Sequence, residues 1–202
     1  MLIKPHDQLF GEVTASSLLK ISITGKPVGF ESNVNPAGWS IHSGVFQARP
    51  DVNASMHVHS RPGMALSALK EGFMFLNQEA MRFYNRIAYH DYEGKSDDLD
   101  ERARLVRDIG DKNALILRNH GLLVCGATIG RAYHMMLNLE KSCKIQLAAM
   151  QSGGTLIKLS PAVQEHAARQ HERDDVPGKG GRPDAWPALL MMLDKIDRSF
   201  RD

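Results

Sequence analysis

Two short, uniformly apolar runs, Ala114-Leu115-Ile116-Leu117 and Leu122-Leu123-Val124-Cys125, stand on either side of Arg118-Asn119-His120-Gly121. Neither run has a polar face, and each is too short for an amphipathic helix, so each is expected to be a buried strand. Asn119-His120-Gly121 supplies the turn between them. A buried hairpin needs covering elements, and the next segment offers one. Thr128 caps a helix predicted to run to about Met150, with Ile129, Ala132, Tyr133, Met136, Leu139, Cys143 and Leu147 as its apolar stripe. Met135 and Met136 read as core filler.

Upstream, Met1 to Lys26 reads as a short apolar piece, a polar turn around Pro5 to Asp7, and a strand through Leu18 to Ile23 closed by Gly25. Asn35 followed by Pro36 starts a helix that carries Trp39, Val45 and Phe46 inward and ends near Arg49. From Ala54 to His59 the residues alternate, with Ala54, Met56 and Val58 on one face and Ser55, His57 and His59 on the other. Ser60 and Pro62 begin a helix through Leu69, a second helical stretch covers Gln78 to Asn85, and Ile87 to Tyr89 is a short strand. Ser96, with Asp97 and Asp98 behind it, caps a helix that Gly110 stops. Beyond Gly153 come a helix from Ser160 to about Arg173, a Gly/Pro-rich loop from Asp174 to Pro183, and an amphipathic helix with Trp186, Leu189, Leu190 and Leu193. That last helix is expected to dock on the domain or on a neighbouring subunit.

A chain of 202 residues with 43% apolar side chains can bury one large core, so a single domain over 1–202 is expected, its core in about 1–151 and a helical extension in 152–202. Charged residues make up 24% and the net charge is +2, which leaves no basic excess for nucleic acid. No apolar run approaches the roughly 20 residues of a membrane span, and no signal-type apolar core stands at the N-terminus. A cytoplasmic protein is expected. Cys125 and Cys143 form neither a CxxC nor a disulfide framework and read as small core residues.

Histidines carry the chemistry. His57 and His59, two apart on a strand, send both rings to one side, where two nitrogens can each lie about 2 Å from one ion. His120 projects from a tight turn between apolar strands, where a ligand is better served than a packing residue. Three neutral imidazoles with an open position suit zinc or a similar divalent ion in a catalytic role. Spacing alone is equally compatible with two solvent-facing histidines and a turn histidine.

His57-Val58-His59-Ser60-Arg61, preceded by Ala48-Arg49-Pro50-Asp51, together with Arg118-Asn119-His120-Gly121-Leu122-Leu123-Val124-Cys125-Gly126, resembles the class II aldolase and adducin head domain family. The order and separation of the motifs agree, and the long helix follows where the family places it. The resemblance covers about Met1 to Gln151. It implies a three-layer αβα fold around a central sheet, a homotetramer with active sites at subunit contacts, and His57, His59 and His120 as ligands of Zn2+ or of Mn2+, Co2+ or Fe2+. The activity it implies is a metal-dependent lyase acting on a small hydroxy- or keto-acid, by aldol cleavage or decarboxylation through a metal-stabilised enediolate. The alternative is a non-catalytic assembly module like the adducin head.

This chain departs from the sugar-phosphate aldolases of the family in informative places. Their acid/base glutamate falls at Gly38, their phosphate-binding serines at Pro36-Ala37, and their Thr-Gly turn at His6-Asp7. An N-terminal helix and strand usual in the family are missing, as in a short form. His42, one helical turn beyond Gly38, is either a fourth ligand or base or a polar residue of the helix face. Tyr92 and Glu93 are candidate proton donors or residues of a solvated loop. Arg61 and Arg118 either pair a substrate carboxylate or lie at a surface or interface.

Overall fold

The computed structural model describes residues 1–24, 33–94, 99–175 and 185–202. The closure at Gly25, the Ser96 cap with Asp97 and Asp98, and all but the start of the Gly/Pro-rich segment lie outside the described residues. The chain divides into two compact units interleaved in sequence: Met1–Pro50, Glu93–Val106 and Asp184–Asp202 in one, Asp51–Tyr92 and Arg107–Pro183 in the other.

In the first unit, strands β1 (Leu2–Ile3) and β2 (Leu19–Lys20) pair antiparallel. The predicted strand over 18–23 is thus shorter, because Ser22 and Thr24 turn the chain through side-chain to backbone bonds. Helix α1 (Pro36–Ala48) starts as the sequence predicts, with the Asn35 side chain accepting from the N–H groups of Ala37 and Gly38. Trp39 packs with Ile21 and Val34, and its indole N–H reaches the Ser22 carbonyl at 2.9 Å. The C-terminal helix, labelled α7 below, runs from Trp186 to Ile196 within the first unit; none of its side chains is fully buried, while Trp186, Leu189 and Leu190 are half-buried.

The second unit is built on a four-stranded sheet of β3 (Ala54–Val58), β4 (Ile87–His90), β5 (Ala114–Leu117) and β6 (Gly121–Gly126), in the order β3-β6-β5-β4. Only the β4–β5 pair is parallel. The hairpin β5–β6 occupies the two central places and every residue of its two strands is buried, as uniformly apolar strands require. Helix α2 (Arg61–Ser67), the short α3 (Gln78–Met81) and the long α5 (Ile129–Gln151) pack with the sheet around Leu66, Phe83, Ile116, Leu122 and Leu139. Each such fully buried side chain contributes roughly 1.5–3 kcal/mol. Helix α3 ends early because the chain turns after Met81 and Asn85 takes a left-handed conformation (φ 56°). Helix α4 (Leu99–Ile109) carries residues of both units.

Helix α6 (Pro161–Asp174) is fastened mostly by charge. Among the described residues its one buried side chain is Ala168, while Arg86 binds both Glu165 and Glu172, and Arg82 and Arg131 share Asp175 just beyond the helix. His134, half-buried on α5, takes hydrogen bonds from Asn138 and lies 3.4 Å from the Arg82 guanidinium. Among the described residues no helix is long and apolar enough to cross a membrane.

Candidate metal centre

Three imidazoles converge at one end of the central hairpin. His57 lies opposite Leu123 in the β3–β6 pairing, and its Nδ1 is 2.9 Å from the Leu122 carbonyl oxygen. A carbonyl can only accept, so Nδ1 carries the proton and Nε2 presents a lone pair. That Nε2 lies 2.8 Å from Nε2 of His59. His120 enters from the three-residue turn between β5 and β6, where Asn119 adopts a left-handed conformation (φ 55°) that asparagine tolerates. Ring centroids are 4.6 Å apart for His57 and His59, 4.8 Å for His57 and His120, and 4.7 Å for His59 and His120. One ring nitrogen from each lies within 4.8 Å of the others.

These residues fit a divalent ion. Imidazole binds metal in its neutral form, and burial, followed by the nearby charge of His59 and His90, holds the His120 pKa below its usual value. His59 is exposed, so the cluster faces outward and leaves room for a further ligand.

Among the other predicted residues, Tyr92 stands at this site, its ring centroid 6.5 Å from that of His120 and the residue 56% exposed. His90, two residues before Tyr92, is the last residue of β4, only 3% exposed and bonded through Nδ1 to Asp108 at 2.7 Å. Burial alone would raise the Asp108 pKa, but the bonds from His90 and Arg107 outweigh it and lower it. Glu93 belongs to the first unit, where Arg104 holds its carboxylate at 2.7 and 2.9 Å. His42 also lies in that unit, on α1, where burial lowers its pKa to about 4 and keeps it neutral. Arg61 is exposed at the start of α2, two residues after His59, with no ion pair among the described residues. Arg118 is partly engaged, 3.6 Å from Asp91 and stacked 4.6 Å from the Tyr89 ring centre.

Sequence reasoning missed Glu140. This α5 carboxylate accepts a hydrogen bond from the hydroxyl of Ser60, the residue next to His59. Ser60 was legible as a helix cap, but no local pattern connects it with a residue eighty positions away.

The α/β fold, with His57 and His59 at the end of β3 and His120 in the β5–β6 turn, is that of a class II aldolase. The profile of the Class II Aldolase and Adducin N-terminal domain matches residues 1–147, and the chain belongs to that family. The crystal structure of an aldolase II superfamily protein from Pseudomonas syringae superposes with a TM-score of 0.88 at 40% identity, covering all of this chain and 80% of that one. An L-fuculose 1-phosphate aldolase from Glaciozyma antarctica gives 0.81 at 28% identity, over all of this chain and 77% of that one. Alpha-adducin of Rattus norvegicus is 36% identical over 96% of this chain, which spans 28% of the adducin.

Proposed function

We propose that this chain is a divalent-metal-dependent carbon–carbon lyase acting on a small hydroxy- or keto-acid that carries no phosphate. The observation that carries the reading is the gathering of His57, His59 and His120, one ring nitrogen from each lying within 4.8 Å of the others. A divalent ion held there, zinc first by its preference for imidazole, would supply Lewis-acid polarisation of a bound carbonyl. Arg61, exposed and without an ion pair among the described residues, is suited to receive the substrate carboxylate, with Arg118 in reserve. Tyr92, near His120, is placed to give a proton to the carbon left after cleavage or loss of carbon dioxide. Glu93 serves this less well because Arg104 holds it.

Two features favour a substrate without phosphate. Gly38 stands where the sugar-phosphate aldolases carry their acid/base glutamate, and the N–H groups of Ala37 and Gly38 at the start of α1 are already taken by Asn35. A phosphate needs such N–H groups or hydroxyls free. Decarboxylation fits a site with few proton-moving groups, since it needs only a proton donor. We read the chain as one domain working in a cytoplasmic homotetramer; the buried thiols of Cys125 and Cys143 suit a reducing compartment, and the exposed Met191, Met192 and Ile196 of α7 suit a subunit contact.

Metal analysis of the purified protein, followed by assay of the metal-loaded protein against matched plain and phosphorylated acids, tests the reading. Cleavage of plain acids that falls at least about a hundredfold in Tyr92→Phe is expected. Efficient cleavage of a ketose 1-phosphate, unaffected by Tyr92→Phe, would sink it. The likeness to alpha-adducin favours a second reading, an assembly module. That reading gains if the purified protein neither carries nor binds a divalent ion.

A further inference from the structure

We propose that Glu140 is a positioning residue for the three-histidine site, acting through Ser60 on His59; the inference rests on the metal-binding reading above. The three imidazoles are not held alike. His57 is tied by its Nδ1–H to the Leu122 carbonyl, and His120 by a half-buried, tightly turned loop. His59 is the exposed member, and among the described residues its ring has no hydrogen bond except with His57. Its place is therefore set by the backbone that carries it. That backbone is fastened at the next residue.

Ser60 Oγ accepts the Gly63 N–H at 3.1 Å, capping α2, and gives its proton to Glu140 Oε1 on α5. A hydroxyl has one proton, so with both functions used its rotamer is fixed. The turn has no slack on the other side, because a Cβ at Gly63 would come within 2.8 Å of both Ser60 Oγ and Leu122 Cγ. On α5, Glu140 adjoins the buried Leu139 and lies close to the buried Cys143, whose thiol is pushed up to about 12 by burial first and by the Glu140 charge after it. Glu140 thus links the end of β3, where His59 sits, to a helix anchored in the core. Outer partners that orient metal ligands change affinity by roughly 10- to 100-fold when removed.

The test is Co2+ binding to the full chain, measured by chelator competition and by the visible absorption of the bound ion, in wild type, Glu140→Ala, Glu140→Leu, Glu140→Gln and Ser60→Thr. Glu140→Ala and Glu140→Leu are expected to bind Co2+ about 10- to 100-fold more weakly and to alter its absorption, with the metal-free melting temperature little changed. Glu140→Gln, whose amide oxygen still accepts, and Ser60→Thr, which keeps the hydroxyl, are expected to retain most of the affinity. If either apolar variant folds and binds Co2+ with the affinity and spectrum of wild type, the inference is overturned while the metal reading stands. If wild type binds no Co2+, the metal reading itself falls and takes the inference with it.

Discussion

His59 lies against Gly121: a Cβ built on that glycine would be 3.3 Å from His59 Cδ2 and 2.4 Å from the Val58 carbonyl oxygen. Glycine is required here by the close approach of β3 to β6. Gly121→Ala is expected to cost roughly 1–3 kcal/mol, as overpacking does, and to displace His59. Urea denaturation together with Co2+ titration checks both effects, and unchanged stability with unchanged binding would count against the packing argument.

The fold does not depend on the imidazoles, since Met56 and Val58 pack the other face of β3 into the core. His59→Ala is expected to abolish the rise in melting temperature produced by Zn2+ while leaving the metal-free circular dichroism spectrum intact. His57→Ala should do the same and also lower metal-free stability by about 1 kcal/mol, through loss of its bond to Leu122. A full Zn2+ response in His59→Ala would remove it from the ligand set.

His42 contributes a pH dependence to stability. Its pKa falls from 6.5 to about 4 on folding because burial disfavours the charged ring. The unfolded chain therefore takes up a proton first as pH falls, and stability present above pH 6.5 is lost progressively down to about 4, by at most on the order of 3 kcal/mol. Denaturation curves at pH 7, 5.5 and 4.5 should show this slope in wild type and a flatter one in His42→Gln.

The charge clamp on α6 responds in a lower window. Arg86 first, then Arg169, hold the Glu165 pKa down from 4.5 to about 2, so its contribution is complete above pH 4.5 and is lost as pH falls through about 2. Carbon-detected NMR titration should place Glu165 well below ordinary glutamates. Arg86→Ala should bring it back toward 4.5; a titration unmoved by that change would contradict the assignment.

Gly38 is not demanded by its surroundings. A Cβ there would meet Asn35 and Ile3 at 3.6 Å, an ordinary contact, and the residue sits in the first turn of α1. Gly38→Ala is expected to stabilise the protein by roughly 0.5–1 kcal/mol, measurable by thermal denaturation. A loss of stability would mean that the bare backbone at this position has a role that packing does not explain.

Local signals carried much of the fold. The caps at Asn35, Ser60, Thr128 and Ser160 each bond where the sequence places a helix start, because a short polar side chain and the N–H groups it satisfies are neighbours in the chain. The uniform apolarity of β5 and β6 and the alternation of β3 are likewise local, and they put His57 and His59 on one face and His120 at a turn. Where the reading ran long, at Gln78 to Asn85 and Leu18 to Ile23, turn geometry interrupted a plausible pattern.

Sequence alone therefore determined which elements form and which residues could serve a metal, since period, capping and turn chemistry act within a few residues. The tertiary structure decided the rest. It set the register that lays His57 beside Leu123, the bond from Ser60 to Glu140, the burial that keeps His42 neutral, and the pairing of Arg86 with α6. These contacts join residues dozens of positions apart, or depend on everything packed around one group, so they exist only once the chain has closed its loops and excluded water.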